Sequence, residues 1–108
     1  MEKKLRGAEH HKLIAVANNY NYSLSRIREI KQNKYPSASE GEILKLYVQY
    51  VNEVERVFRL FNLLELSMLQ KEYFTPLPKG WWTNLYPKST FYRIRLSTTK
   101  RFLEEFTL

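Results

Sequence analysis

Residues 86–106 read YPKSTFYRIRLSTTKRFLEEF. Tyr86-Pro87-Lys88 predicts a turn, and from Ser89 to Phe106 the apolar residues recur at a helical period. At about 100° per residue, Phe91, Ile94, Thr98 and Phe102 share one side of that helix. Ser89, Arg93, Leu96, Ser97 and Lys100 share the other. An apolar face would hold such a helix to its domain. Short polar and long cationic side chains facing outward suit a major groove, where arginine reads guanine through two hydrogen bonds and serine reaches bases or phosphate. Tyr92 sits at the edge of this face, within reach of a sugar or a thymine methyl. The backbone N–H groups near Lys88–Thr90 suit a phosphate oxygen. Taken alone, the wheel favours an ordinary amphipathic surface helix, since charge on the exposed face of a helix is normal. The charge around it and the segment before it tilt the balance.

Net charge is +7, and it is unevenly spread. Within residues 71–101, Lys71, Lys79, Lys88, Arg93, Arg95, Lys100 and Arg101 face a single acid, Glu72. Residues 40–70 carry more acids than bases. A local concentration of cations attracts phosphate. A weaker basic area, Arg26, Lys31 and Lys34, lies further upstream.

Working outward, 108 residues with 44% hydrophobic and 27% charged content describe one domain with a core. Residues 1–64 are expected to be a helical scaffold and 65–108 a helix-turn-helix-like module. The predicted fold is all-α, with two long N-terminal helices. The first spans 9–33, from the spacing of Leu13, Ala17, Tyr20, Leu24, Ile27 and Ile30, with Ser23 a candidate cap should it break near 18–23. Tyr35-Pro36 ends it. The second spans 39–64, and its start has two candidate capping boxes, Ser37 with Glu40 and Ser39 with Glu42. Its apolar face, from Ile43 through Phe61 to Leu64, is wide enough for two neighbours. Ser67 with Gln70 predicts a break near 65–67 and a short helix 68–73. Residues 75–80, with two prolines and a glycine, form a loop. Of Trp81 and Trp82, one is expected in the core and the other partly exposed beside Lys79. A short helix, a turn and a basic helix together give the helix-turn-helix layout.

The string Leu85-Tyr-Pro-Lys-Ser-Thr-Phe-Tyr-Arg-Ile-Arg resembles the turn and recognition helix of sigma-factor region-4-like domains. It is closer still to ArpU-type phage regulators of late transcription, in which a Ser-Thr-aromatic-Tyr-Arg string opens the recognition helix. Leu66-Ser67 and Tyr73-Phe74 resemble the helix that begins such modules. The resemblance covers roughly 63–106. It implies that Lys88, Ser89, Tyr92 and Arg93 face DNA. Pro87 departs from the pattern, standing where the family commonly has a serine cap.

Other classes are disfavoured. The chain has no cysteine, which removes thiolate zinc sites and cysteine nucleophiles and fits a cytoplasmic location. Every acid is glutamate, which counts against an Asp-based dyad. His10-His11 are adjacent, so in a helix they point about 100° apart and cannot easily share one ion; they are expected at the surface. No nucleophile stands beside a base, and no phosphate or dinucleotide loop is present. The expectation is a DNA-binding transcriptional regulator, not an enzyme, with no catalytic residues, metal, cofactor or membrane contact. Its binding residues are Lys71, Lys79, Lys88, Ser89, Tyr92, Arg93, Ser97, Lys100 and Arg101. Its partners are double-stranded DNA, with RNA polymerase or a second copy supplying further contacts. The alternatives are a helical protein adaptor, with Phe102, Leu103, Phe106 and Leu108 as its sticky end, and an RNA-binding protein using the Trp pair.

Overall fold

Tyr35-Pro36 and Ser37 divide the first two helices as the sequence requires. In the computed structural model, which describes the backbone of residues 2–108 and the side chains of 7–108, α1 spans Glu2–Gln32 and α2 spans Ala38–Phe58. Helix α1 is unbroken, and Ser23 lies buried inside it rather than capping a break. Of the two capping boxes on offer, α2 uses Ser37 and Glu40. The Ser37 hydroxyl accepts the Glu40 N–H at 3.2 Å, and the Glu40 carboxylate accepts the Ser37 N–H at 3.1 Å. The two helices are antiparallel. Tyr22 meets Tyr47, while Tyr20 meets Phe58 and donates to Glu55 at 2.9 Å.

Helix α2 stops at Phe58, six residues before the expected end. Turns from Leu60 and Phe61 back to Val57 and Phe58 close it. Helix α3, Leu63–Leu69, follows at once. Asn62 is its cap, paired with Glu65 at 2.8 and 3.1 Å. The break expected at 65–67 is therefore at 59–62, and the Ser67–Gln70 box is not the one used. With α2 ended at Phe58, the Phe61 ring stacks on Phe102 with centroids 6.4 Å apart. Helix α3 then widens into a π-turn, Gln70–Phe74, in which the Thr75 N–H reaches the Gln70 carbonyl at 2.7 Å. The expected short helix 68–73 straddles the two. Helix α4 spans Lys88–Glu105. All described regular structure is helical.

One core draws on every helix. Leu13 and Ala17 of α1, Val54 and Val57 of α2, Leu69 of α3, Tyr73 and Phe74 of the π-turn and Phe102 of α4 pack together. Phe74 sits at its centre, with ring centroids 4.8 Å from Phe58 and 5.8 Å from Phe102. Its carbonyl, left over by the π-turn, accepts from Asn21 at 2.8 Å. The C-terminus is tied down as well. Glu53 holds Arg56 through both oxygens and also accepts the Thr107 N–H and hydroxyl, while Arg56 donates to the Glu105 carbonyl. The Arg56 guanidinium, first, and the Thr107 bonds, second, pull the Glu53 carboxyl down to about 2. Phe102 is fully buried, Phe106 packs on it and on Tyr50, and Leu103 packs against the same core. Phe102, Leu103 and Phe106 thus serve internal packing, while Leu108 stays exposed.

The wide face of α2 is only partly covered. Val51, Val54 and Val57 are buried, but Leu46 is 64% exposed and Ile43 is also exposed. Leu64, counted with that face in the sequence, lies on α3 and is exposed. The molecule measures 52 × 28 × 23 Å, so the far halves of α1 and α2 project beyond the packed end. No helix among the described residues is long and apolar enough to cross a membrane.

Candidate nucleic-acid interface

Helix α4 is fixed at its start by one residue. Phe91 is fully buried and is wrapped by the loop before it. Trp82 stacks flat on its ring, with centroids 4.2 Å apart and planes at 7°; Trp81 meets it edge-on at 5.8 Å. Both tryptophans are half-buried, so the pair supplies the partly exposed ring expected but no fully buried one. The loop, residues 75–87, is longer than the three or four residues of a helix-turn-helix turn. Residues 79–85 form successive turns, with Trp81, Thr83 and Leu85 donating to Pro78, Gly80 and Trp82, and no regular helix immediately precedes α4. Gly80 sits at φ +83°, where a Cβ would be strained, so the loop needs glycine there.

Pro87 precedes α4 in an extended conformation and makes no side-chain cap. Its carbonyl accepts the Phe91 N–H at 3.0 Å. The N–H groups of Lys88, Ser89 and Thr90 consequently have no capping side chain, and they carry the positive end of an 18-residue helix.

The cations of this region fall into two groups. Lys79, Lys88, Arg93 and Lys100 are exposed, and none of them forms an ion pair among the described residues. Ser89 and Ser97 are exposed on the same stripe as Arg93 and Lys100. From Ser89 to Lys100 that stripe runs about 16 Å along the axis. Lys100 stands beside Glu9 and Lys12 of α1, which borders the stripe at its C-terminal half. The second group is occupied at home. Arg101 donates to the Leu60 carbonyl at 2.7 Å, lies 4.7 Å over the Phe61 ring and approaches Glu65 at 3.7 Å. It pins α4 to the turn that ends α2 while its side chain stays 46% exposed. Lys71 is half-buried over the Trp81 ring at 5.5 Å, so it too is partly spent. Arg95 pairs with Glu72 at 3.0 Å and stacks on Tyr92 at 4.9 Å. Tyr92 is exposed at the stripe's edge, with Arg95 over its ring.

Behind the stripe runs a polar chain that the sequence did not reveal. Glu72 accepts from both Trp81 and Arg95 at 3.0 Å. Tyr73 shares hydrogen bonds with His10 at 2.8 Å and with the buried Thr99 at 2.9 Å. His10 is therefore not simply a surface residue. Burial lowers its pKa first, and the charge of Arg95 lowers it further. Burial likewise pushes the Tyr73 hydroxyl up to about 12. One signal was available: Glu72 is the lone acid among seven cations, so it was bound to find one of them. Thr99 was missed although Tyr92, Leu96, Phe102 and Leu103 flank it on the wheel, because threonine itself is polar. Among the described residues, no group of three or more acidic or histidine side chains could hold a metal. No family model matches the chain, and neither a curated protein nor a solved structure matches it.

Proposed function

We propose that this chain binds double-stranded DNA through the outward stripe of α4 and acts in regulating transcription. The observation that carries this reading is the division of the cations. Lys88, Arg93 and Lys100 stand exposed with Ser89 and Ser97, while Arg95 and Arg101 are tied within the domain. A helix presenting cations and small hydroxyl side chains on one face, with its uncapped N-terminus toward the same end, has the chemistry that phosphates and base edges require. Lys79 on the preceding loop would add a phosphate contact. One helix reaches only a short stretch of duplex, so a second copy or RNA polymerase is expected to contribute the rest.

The experiment is duplex binding by the Arg93→Ala/Lys100→Ala variant at two salt concentrations. Affinity should fall about tenfold or more, and the slope of log affinity against log salt should become shallower by roughly one for each phosphate that is no longer neutralised. An unchanged affinity and slope, with the variant still folded, would overturn the reading. A protein-adaptor function is supported by a different observation, the exposure of Leu46 on α2 and of Leu63 on α3, the latter 86% exposed. It predicts a stable protein complex that the double variant leaves intact. An RNA-binding function through stacked tryptophans has less support, because Phe91 already covers one face of Trp82.

A further inference from the structure

Between α1, the loop 75–87 and α4 lies a cleft of about 400 Å³, the size of a small-molecule site. Trp82 and Tyr92 line it, their rings 5.7 Å apart and inclined at 64°. Phe91 covers one face of Trp82, so what Trp82 presents to the cleft is the rest of the ring. Arg95 and Lys79 also line it, together with Glu72 and His10.

The electrostatics of that lining are one-sided. The Glu72 carboxylate is already committed, with one oxygen to Trp81 and the other to Arg95. Arg95 spends Nη1 on Glu72, but a guanidinium has five N–H donors, so it can hold that bond and take another acceptor. Lys79 is exposed and forms no ion pair among the described residues. His10 is held towards its neutral form, and its Nδ1 is engaged by Tyr73. The cleft thus offers aromatic surface together with two cationic donors, Arg95 lying over the Tyr92 ring and Lys79 on the loop, with its single acid satisfied. A neutral apolar molecule would leave those donors unused, and a cation would be repelled by them.

We propose that this cleft binds a small planar ring carrying one carboxylate or phosphate, the ring against the uncovered part of Trp82 and the anion held by Arg95 and Lys79. The cleft shares Lys79 and Tyr92 with the proposed DNA-facing surface, and the proposal is tested without DNA. Benzoate and uridine monophosphate are the probes, with benzamide and uridine as their neutral counterparts, titrated into the full chain and followed by tryptophan fluorescence and by the His10 ring signals in NMR. At least one anion should bind saturably, roughly three- to fivefold more tightly than its neutral counterpart, and Lys79→Glu should remove that preference. Lys79 is on an exposed loop, so the variant is expected to fold. A bound anion should also raise the His10 pKa, which a neutral ring would not do. Success with benzoate alone or with uridine monophosphate alone identifies the anion as carboxylate or phosphate. Equal binding of charged and neutral probes, indifference to Lys79→Glu, or no saturable binding by any probe would overturn the proposal.

Discussion

At one end of the molecule Phe102 is fully buried among Phe58, Phe61, Phe74 and Phe106; at the other, Tyr35 is 81% exposed and Leu46 stands largely in solvent. Both ends are built from helices with apolar faces. What differs is the number of elements that meet. Around Phe102, α1, α2, the π-turn and α4 converge and bury the faces they turn inward, although Leu63 and Leu64 of α3 stay exposed. At the projecting end α1 and α2 have only each other, and two helices can cover one stripe each and no more. A residue's apolar character is therefore a poor guide to its energetic weight here; whether other elements cover it is a better one.

The largest test of that contrast compares Phe102→Ala with Leu46→Ala. Removing a ring from a site with four aromatic neighbours should cost about 3–5 kcal/mol. Trimming the exposed leucine should change stability by no more than about 0.5 kcal/mol. Urea unfolding measures both. Should Phe102→Ala fail to fold, Phe102→Leu, which keeps most of the volume, supplies the same ordering at smaller size. Comparable losses at the two positions would mean that the projecting helices carry packing beyond what one chain provides.

Much of this architecture was legible because its signals are local. Ser37 and Glu40 mark the start of α2, and Pro36 bars a helix through it. The period of Phe91, Thr98 and Phe102 marks the buried side of α4, and the same wheel sets Arg93 and Lys100 apart from Arg95. The errors all involve choices that only tertiary packing decides. Leu63 and Leu64 continue the apolar pattern of α2, so periodicity alone carries that helix past its true end. Asn62 and Glu65 form a capping pair as sound as Ser67 and Gln70, and the structure uses the former, with Phe61 just before it stacked on Phe102. The fate of Arg101 follows from the same event. Its partners, the Leu60 carbonyl and the Phe61 ring, exist as a site only once α2 has ended there.

That dependence makes the α2–α3 junction the next place to probe. Asn62→Ala removes the side chain that accepts the Glu65 N–H and should cost about 1 kcal/mol. Ser67→Ala, at the competing box, should be close to neutral, because Ser67 lies inside α3 and caps nothing. The reverse order would place the break where the sequence pattern first suggests it.

The smallest effect concerns the seam where α1 meets the π-turn and α4, beside the packed end. His10 lies there against Tyr73, with Arg95 and His11 lowering its pKa from 6.5 and Glu72 opposing them. Burial is the largest cause. In the unfolded chain the imidazole regains its ordinary value, so on descending through 6.5 the unfolded state takes up the proton first. Stability from this group is therefore complete above 6.5 and declines below it, until the folded protein is protonated too. Urea midpoints at about pH 7.5 and 5.5 should show a drop in the wild type that is smaller in His10→Asn, since carboxylates common to both supply the remainder. A drop of the same size in the two proteins would mean that His10 gains its proton as readily folded as unfolded. The seam would then have to be open to water, and α1 would be joined to the packed end through Leu13 and Ala17 rather than through the Tyr73 hydroxyl.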